Sequence, residues 1–304
     1  MLVYIILAHK NMKQVARLVR SIEPHRNVIL VHVDVRVNDA EYNFMKSDLK
    51  EYSNVRFVRR RKCNWGKFDL VNATLDSIRI ITEERLSFSF CNLLSGQDFP
   101  IKSAKHIERF LNKHADKSFM DYFSLPCDCW NNGGTDRYKT YHFNLFSNAR
   151  IDERISKIIK IKRRVPAGIS FFGGSQWWTL NKDAVEFIDF AVSHRSKFVK
   201  WFHNVFIPDE MFFQTLLMNS ELSESIVNDN LRYIVWPGPK VFRKEDTRAL
   251  LDSGQSKLFG RKFDEDVDSS ALNIIETHIR EYGQSGPQFG GQTRDNRSSE
   301  GRTR

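Results

Sequence analysis

Leu2-Val3-Tyr4-Ile5-Ile6-Leu7-Ala8 is apolar without interruption and gives way at once to His9-Lys10-Asn11. A strand with one wet face alternates apolar and polar residues, so a run with no polar position needs cover on both faces, as in a parallel sheet layered between helices. It is too short to span a bilayer and lacks a preceding basic segment, so it reads as a buried strand, not a signal or an anchor. Residues 12–22 then carry Val15, Leu18, Val19 and Ile22 at helical spacing, with Pro24 as a stop. Further strands are expected at 28–33, ending on Asp34, at 55–58 and at 88–94, with a helix over 70–81 and a loop over 95–100. This alternation predicts an α/β fold with a mostly parallel central sheet flanked by helices. Ligands of such sheets sit beyond the carboxyl ends of the strands, the rim that holds Asp34 and the 95–100 loop.

Residues 127–166 are polar, basic and poorly periodic; 150–164 read as a helix or an excursion studded with Lys and Arg. Beyond them come Gly173-Gly174-Ser175-Gln176-Trp177-Trp178, an amphipathic helix from about 183 to 193, and Pro208-Asp209-Glu210 ahead of a helix start at Met211. The segment 283–304 holds five glycines, four arginines and no Leu, Ile, Val or Met, and is expected to be a disordered tail.

With 47 Lys+Arg against 37 Asp+Glu the net charge is +10, and 41% of residues are hydrophobic, which excludes a disordered chain and a disulfide mini-protein. The charge is compatible with nucleic acid, anionic lipid or a phosphorylated small molecule. Cys63, Cys91, Cys127 and Cys129 lack C-x-x-C spacing, so free thiols in a reducing cytoplasm are expected. No phosphate-binding glycine motif and no H-x-x-x-H or H-E-x-x-H zinc spacing is present. Nor does an Asp-x-Asp pair follow any of the strands expected at 2–8, 28–33, 55–58 and 88–94: Asp34-Val35-Arg36 puts a cation where a second carboxylate for a metal would stand.

The remaining candidates each have two readings. Trp65, beside Gly66, and Trp177-Trp178 are either packing residues or flat surfaces for a base or sugar ring. Glu210 is either a first-turn carboxylate stabilised by the helix dipole or a general base. Asp34 is a turn residue or a ligand contact. Arg261-Lys262, bracketed by phenylalanines, is a solvated pair or a fixed diphosphate site.

Taken in order, Ile6-Leu7-Ala8-His9, Val31-His32-Val33-Asp34, Asn64-Trp65-Gly66, the run from Asn92 to Ile101, Gly173 to Trp178, Pro208 to Phe213, Asp229-Asn230-Leu231-Arg232 and Phe259 to Asp264 resemble the core-2/I-branching β-1,6-N-acetylglucosaminyltransferases and protein O-xylosyltransferases, glycosyltransferase family 14. The resemblance implies a GT-A type fold in a single domain over 1–282, with a donor half of about 1–125 and an acceptor half of about 165–282. It implies an inverting transfer from a UDP-sugar, N-acetylglucosamine first and xylose next, needing no cofactor and no metal. Glu210 would deprotonate the acceptor hydroxyl. His9, Asp34, Trp65, Arg261 and Lys262 would hold the donor, the cation pair replacing a metal at the diphosphate. Asp98, Gln176, Trp177 and Trp178 would meet acceptor or sugar. Gln176 stands where the xylosyltransferases carry an acidic residue, which argues against peptide xylosylation. A bacterial-type, cytoplasmic member is expected, peripheral at the inner membrane face, with a glycan or lipid-linked glycan acceptor in surface polysaccharide synthesis and no nucleic-acid partner. The rival is a non-catalytic basic module docking through Arg59-Arg60-Arg61-Lys62, residues 160–164 and the tail.

Overall fold

The computed structural model describes residues 1–22, 25–143, 145–146, 149–159 and 161–282; the expected stop at Pro24 and the tail 283–304 lie outside them. The chain runs β1 (Leu2–Ala8), α1 (Met12–Ser21), β2 (Val28–Val33), α2 (Asp39–Asp48), β3 (Val55–Phe57), α3 (Asp69–Glu83), β4 (Phe90–Ser95), β5 (Asp98–Pro100), α4 (Ala104–Lys113), β6 (Ser118–Met120) and β7 (Phe123–Ser124). It continues through α5 (Asp136–Lys139), α6 (Ala149–Ile159), β8 (Phe172–Gly173), β9 (Trp178–Asn181), α7 (Lys182–His194), α8 (Ser196–Phe202), α9 (Phe212–Met218), β10 (Ile226–Val227), β11 (Arg232–Ile234), α10 (Thr247–Leu251), β12 (Phe259–Arg261) and α11 (Ser269–Tyr282).

Seven strands form the main sheet in the order β10-β6-β9-β4-β1-β2-β3. The β4-β1-β2-β3 block is parallel and β9 enters antiparallel to both β4 and β6, so the sheet is mixed but mostly parallel. All of β1 is buried, as its unbroken apolar run requires, and its two faces feed two cores. Val3, Ile5 and Leu7 pack with residues of α3, α7 and α9, while Leu2, Tyr4, Ile6 and Ala8 pack with α1, α4 and α11. Short polar residues start the helices: Asn38 Oδ1 accepts from Glu41 N, and Asn181 Oδ1 from Ala184 N.

Two expectations are corrected. Residues 95–100 are not all loop: Asp98–Pro100 pairs antiparallel with β12, and with β11 forms a separate three-stranded sheet. The cysteines are not all free: Cys127 and Cys129 are joined by a disulfide inside a tight turn in which Trp130 N donates to Cys127 O, while Cys63 and Cys91 are buried thiols.

Candidate active site

β1, β2 and β4 bring His9, Asp34 and Ser95 to one edge of the sheet. After Ser95 the chain folds back against α1: Gly96 N donates to Leu7 O, and a Cβ at position 96 would lie 2.9 Å from Val15 Cγ2. This return delivers Asp98, fully buried, whose Oδ2 accepts from Ser95 N at 2.9 Å and whose Oδ1 receives Arg261 Nη1 at 2.8 Å across the β5–β12 register. The Arg261 guanidinium also lies over Trp177, 4.5 Å from the ring centroid. Lys262 follows, its ammonium pKa pulled down by burial and then by Arg261 and Lys10. The His9 imidazole is likewise lowered, first by loss of solvent and then by Lys262, Lys10 and Arg261. Asp264 offsets part of this charge, accepting from Lys10 Nζ at 2.6 Å, Asn11 Nδ2 at 3.0 Å and Gln97 Nε2 at 3.2 Å. Arg261, Lys262 and Lys10 thus lie among Asp98, Asp264 and Asp266, and burial first, then repulsion among the cations, lowers the pKa values of Lys262 and His9; an anion at this point would relieve the repulsion.

Glu210 stands on a different support. Pro208–Glu210 forms a short 3-10 turn of its own, separated from α9 by Met211, so the carboxylate precedes the helix instead of starting it. Its Oε2 receives Arg137 Nη1 at 2.6 Å, and the Arg137 guanidinium lies flat against Trp130, 3.5 Å from the ring centroid. The Glu210 side chain is 33% exposed, enough to meet a ligand. Asp209 beside it is buried, with Oδ1 unpartnered; burial, then the charge of Glu210, pushes its carboxyl up to about 7. Trp65 belongs to this side: Ile207 N donates to Gly66 O at 3.0 Å, Phe206 meets the indole edge-to-face at 5.9 Å, and Trp65 is 54% exposed.

The two groups are joined by the glycine-tryptophan loop. Gly174 N donates to Glu210 O at 2.9 Å, Gln214 Nε2 donates to Ser175 O at 2.6 Å, and Trp177 lies under Arg261. A Cβ at position 174 would come within 1.9 Å of Asp121 O, so the loop reaches both partners only with glycine there.

The expected site residues therefore fall into sets. His9, Asp98, Trp177, Arg261 and Lys262 share one cluster; Glu210 and Trp65 share the other; half-buried Gln176 lies on the loop between. Asp98 is corrected from an acceptor contact to a support of Arg261, being 0% exposed and bonded to Ser95 N and Arg261. Trp178 is corrected: it is 0% exposed in the middle of the sheet, packed on Phe213, and presents no face to a sugar. Asp34 is corrected too. It is 2% exposed, and its oxygens are taken by Arg36 N, Nε and Nη2 and by Cys63 N, so no lone pair is left for a base or ribose. Although burial alone would raise its pKa, these bonds hold Asp34 at about 2 and make it the anchor of the 59–63 segment. Two of the four cations of the basic run there are paired, Arg60 with Asp39 and Arg61 with Asp76. Lys10 was legible only as a neighbour of a motif residue, and Asp264 only as the last residue of the 259–264 motif with no role assigned. Arg137 and Trp130, in the poorly periodic segment, carried no local signal.

The family described as Core-2/I-Branching enzyme matches residues 2–253, a span that stops short of Arg261 and Lys262. Rat xylosyltransferase 2 is 27% identical over 307 aligned residues, covering 93% of this chain and 34% of the relative. The xylosyltransferase of Ciona intestinalis is 25% identical, covering 93% and 34%. The chain spans about a third of the length of these relatives. Among solved structures, a crystal structure of S. aureus TarS 1-349 aligns with a TM-score of 0.30 at 10% identity, over 46% of this chain and 41% of that one.

Proposed function

Because the chain belongs to the Core-2/I-branching enzyme family, we propose that it is an inverting glycosyltransferase of GT-A type that moves a sugar from a UDP-sugar to a glycan hydroxyl without a divalent metal. N-acetylglucosamine is the first donor to test and xylose the second, and surface polysaccharide or lipid-linked glycan is the acceptor class. The observation that carries this reading is the Gly174–Trp177 loop, which ties the part-exposed Glu210 to Arg261 of the Arg261–Lys262 cation pair.

In this reading the donor diphosphate lies at Arg261 and Lys262, with His9 at its edge and Trp65 beside the transferred sugar. Glu210 accepts the proton of the acceptor hydroxyl while its oxygen forms the bond to the anomeric carbon. The bond from that carbon to the diphosphate breaks, and UDP leaves with the electron pair. Negative charge grows on the leaving oxygen, and fixed cations already in place stabilise it without reorganisation. Asp98 and Trp177 keep Arg261 aimed, and Arg137 on Trp130 does the same for Glu210.

The test is UDP release from a panel of UDP-sugars in excess chelator, run on the wild type and on Glu210→Gln. Wild-type turnover with one donor should survive chelation, and the variant should lose roughly 10²–10⁴-fold in kcat while still binding UDP. Abolition by chelator would remove the metal-free mechanism, and full activity in the variant would move the base elsewhere.

A further inference from the structure

The excursion between β7 and β8 presents a surface that glycosyl transfer does not use. Leu145, Phe146, Ile151, Ile158, Ile159 and Ile161 are 43–81% exposed, Ile158 the most. On a surface helix the apolar stripe ordinarily faces the core. α6 is docked the other way. Asp152 and Ser156 form its buried flank: Asp152 pairs with Lys67 Nζ at 2.7 Å and accepts from the backbone N–H groups of Leu145 and Phe146, and Ser156 Oγ accepts from Phe143 N. The buried ion pair fixes the rotation of the helix and turns Ile151 and Ile158, seven residues apart on one stripe, outward.

The charge of this segment selects the partner. Residues 150–164 hold seven Lys and Arg against Asp152 and Glu153, and Asp152 is neutralised by Lys67. Arg163 is used internally, donating to Asn204 O and Trp201 O, but Arg154, Lys162 and Arg164 are exposed beside the isoleucines. A second copy would set this positive surface against itself, and a nucleic acid would leave the isoleucines in water. An anionic bilayer satisfies both features: apolar side chains enter the boundary of the acyl region while Lys and Arg stay with the headgroups. No helix among the described residues is long and apolar enough to cross a membrane, so the contact is one of lying on the surface.

We propose that the exposed flank of α6, with Leu145, Phe146 and Ile161, docks on an anionic lipid bilayer. The surface adjoins the Glu210 side of the site. Leu145 and Phe146 share with Asn64, Lys67 and His203 the lining of a cavity of about 380 Å³, and Asn64 precedes Trp65 in the chain. His142, at the start of the excursion, stacks on Phe206, which itself meets Trp65. A lipid-linked acceptor would then meet the enzyme next to the proposed base.

Flotation of the full chain with vesicles tests this without donor or acceptor, so its failure and a failure of the transfer reading are told apart. The protein should float with phosphatidylcholine vesicles that contain phosphatidylglycerol and not with phosphatidylcholine alone, and salt should weaken the association. The pair Leu145→Asp and Ile158→Asp, both at exposed positions, should weaken it about tenfold or more while leaving the melting temperature unchanged. Arg154→Glu with Lys162→Glu should weaken it and flatten the salt dependence. The proposal is overturned if the wild type stays in solution at low salt, or if the aspartate pair floats as well as the wild type. It is equally overturned if the aspartate pair merely dissolves a dimer, or if duplex DNA binds in place of lipid.

Discussion

Arg137 and Asp209 show how a single carboxylate can be prepared from both sides. Arg137, flattened on Trp130, faces the Glu210 carboxylate at 2.6 Å, while Asp209 behind it is buried with one oxygen unpartnered. A second negative charge here would have neither water nor a cation of its own, which is why the Asp209 carboxyl is raised from 3.8 to about 7. The unfolded chain gives up that proton near pH 4 and the folded chain keeps it to about 7, so folding stability falls as pH rises through this interval and levels off above it. Asp209→Asn has no proton to lose. Its stability relative to the wild type should therefore grow between pH 4 and pH 8, by at most about 4 kcal/mol, in denaturant titrations at each pH. A difference independent of pH would mean that Asp209 is ionised in the native protein. At this scale the sequence pointed to Glu210, because an acidic residue after a proline turn is visible in one line of text. Its partner Arg137 was invisible, since an ion pair across 73 residues leaves no local trace.

At the scale of elements, the decisive piece is the loop that leads into β9. Gly174 lies against Asp121 O so closely that a methyl group cannot be added without moving the backbone, and the same residue carries the hydrogen bond to Glu210 O. Gly174→Ala should therefore destabilise the fold by about 1–3 kcal/mol, the range expected when an overpacked contact cannot relax. It should also lower turnover more than UDP affinity, because the loop's hold on Glu210 is lost while Lys262 remains. Thermal unfolding and a kcat-against-KM comparison check both parts, and a wild-type melting temperature would show that Asp121 gives way. The helices α2, α4 and α11 drew no expectation, but other longer elements were legible: 70–81 was expected as a helix and α3 spans Asp69–Glu83; 183–193 was expected and α7 spans Lys182–His194. The short strands β5, β9 and β12 were not, because three or four residues set no measurable period and their pairing partners lie far along the chain.

Over the whole molecule, the two proposed halves share their sheets. β9, from the acceptor half, pairs with β4 and β6 of the donor half, and β12 pairs with β5. Removing either half would open a central strand pair in each sheet, so the described chain should unfold in one cooperative transition. Urea melts followed by tryptophan fluorescence and by far-ultraviolet circular dichroism should coincide; separated midpoints would show two independently stable units. The excess charge of +10 also divides at this scale. Two cations, Arg261 and Lys262, belong to the proposed site, Arg60 and Arg61 are bound within the fold, and a further group borders the isoleucines of α6. The sequence alone determined the layered α/β architecture and the strand-end rim, because burial on two faces and helical spacing are local properties written in consecutive residues; the candidate site residues came from the resemblance to the family. Which of those residues remain available was decided only by the tertiary structure. Asp34 was saturated by Arg36 and Cys63, Trp178 was sealed under Phe213, and α6 was turned apolar side outward by the pairing of Lys67 with Asp152. Availability depends on which distant groups compete for the same lone pairs and surface, and that competition exists only once the chain has folded.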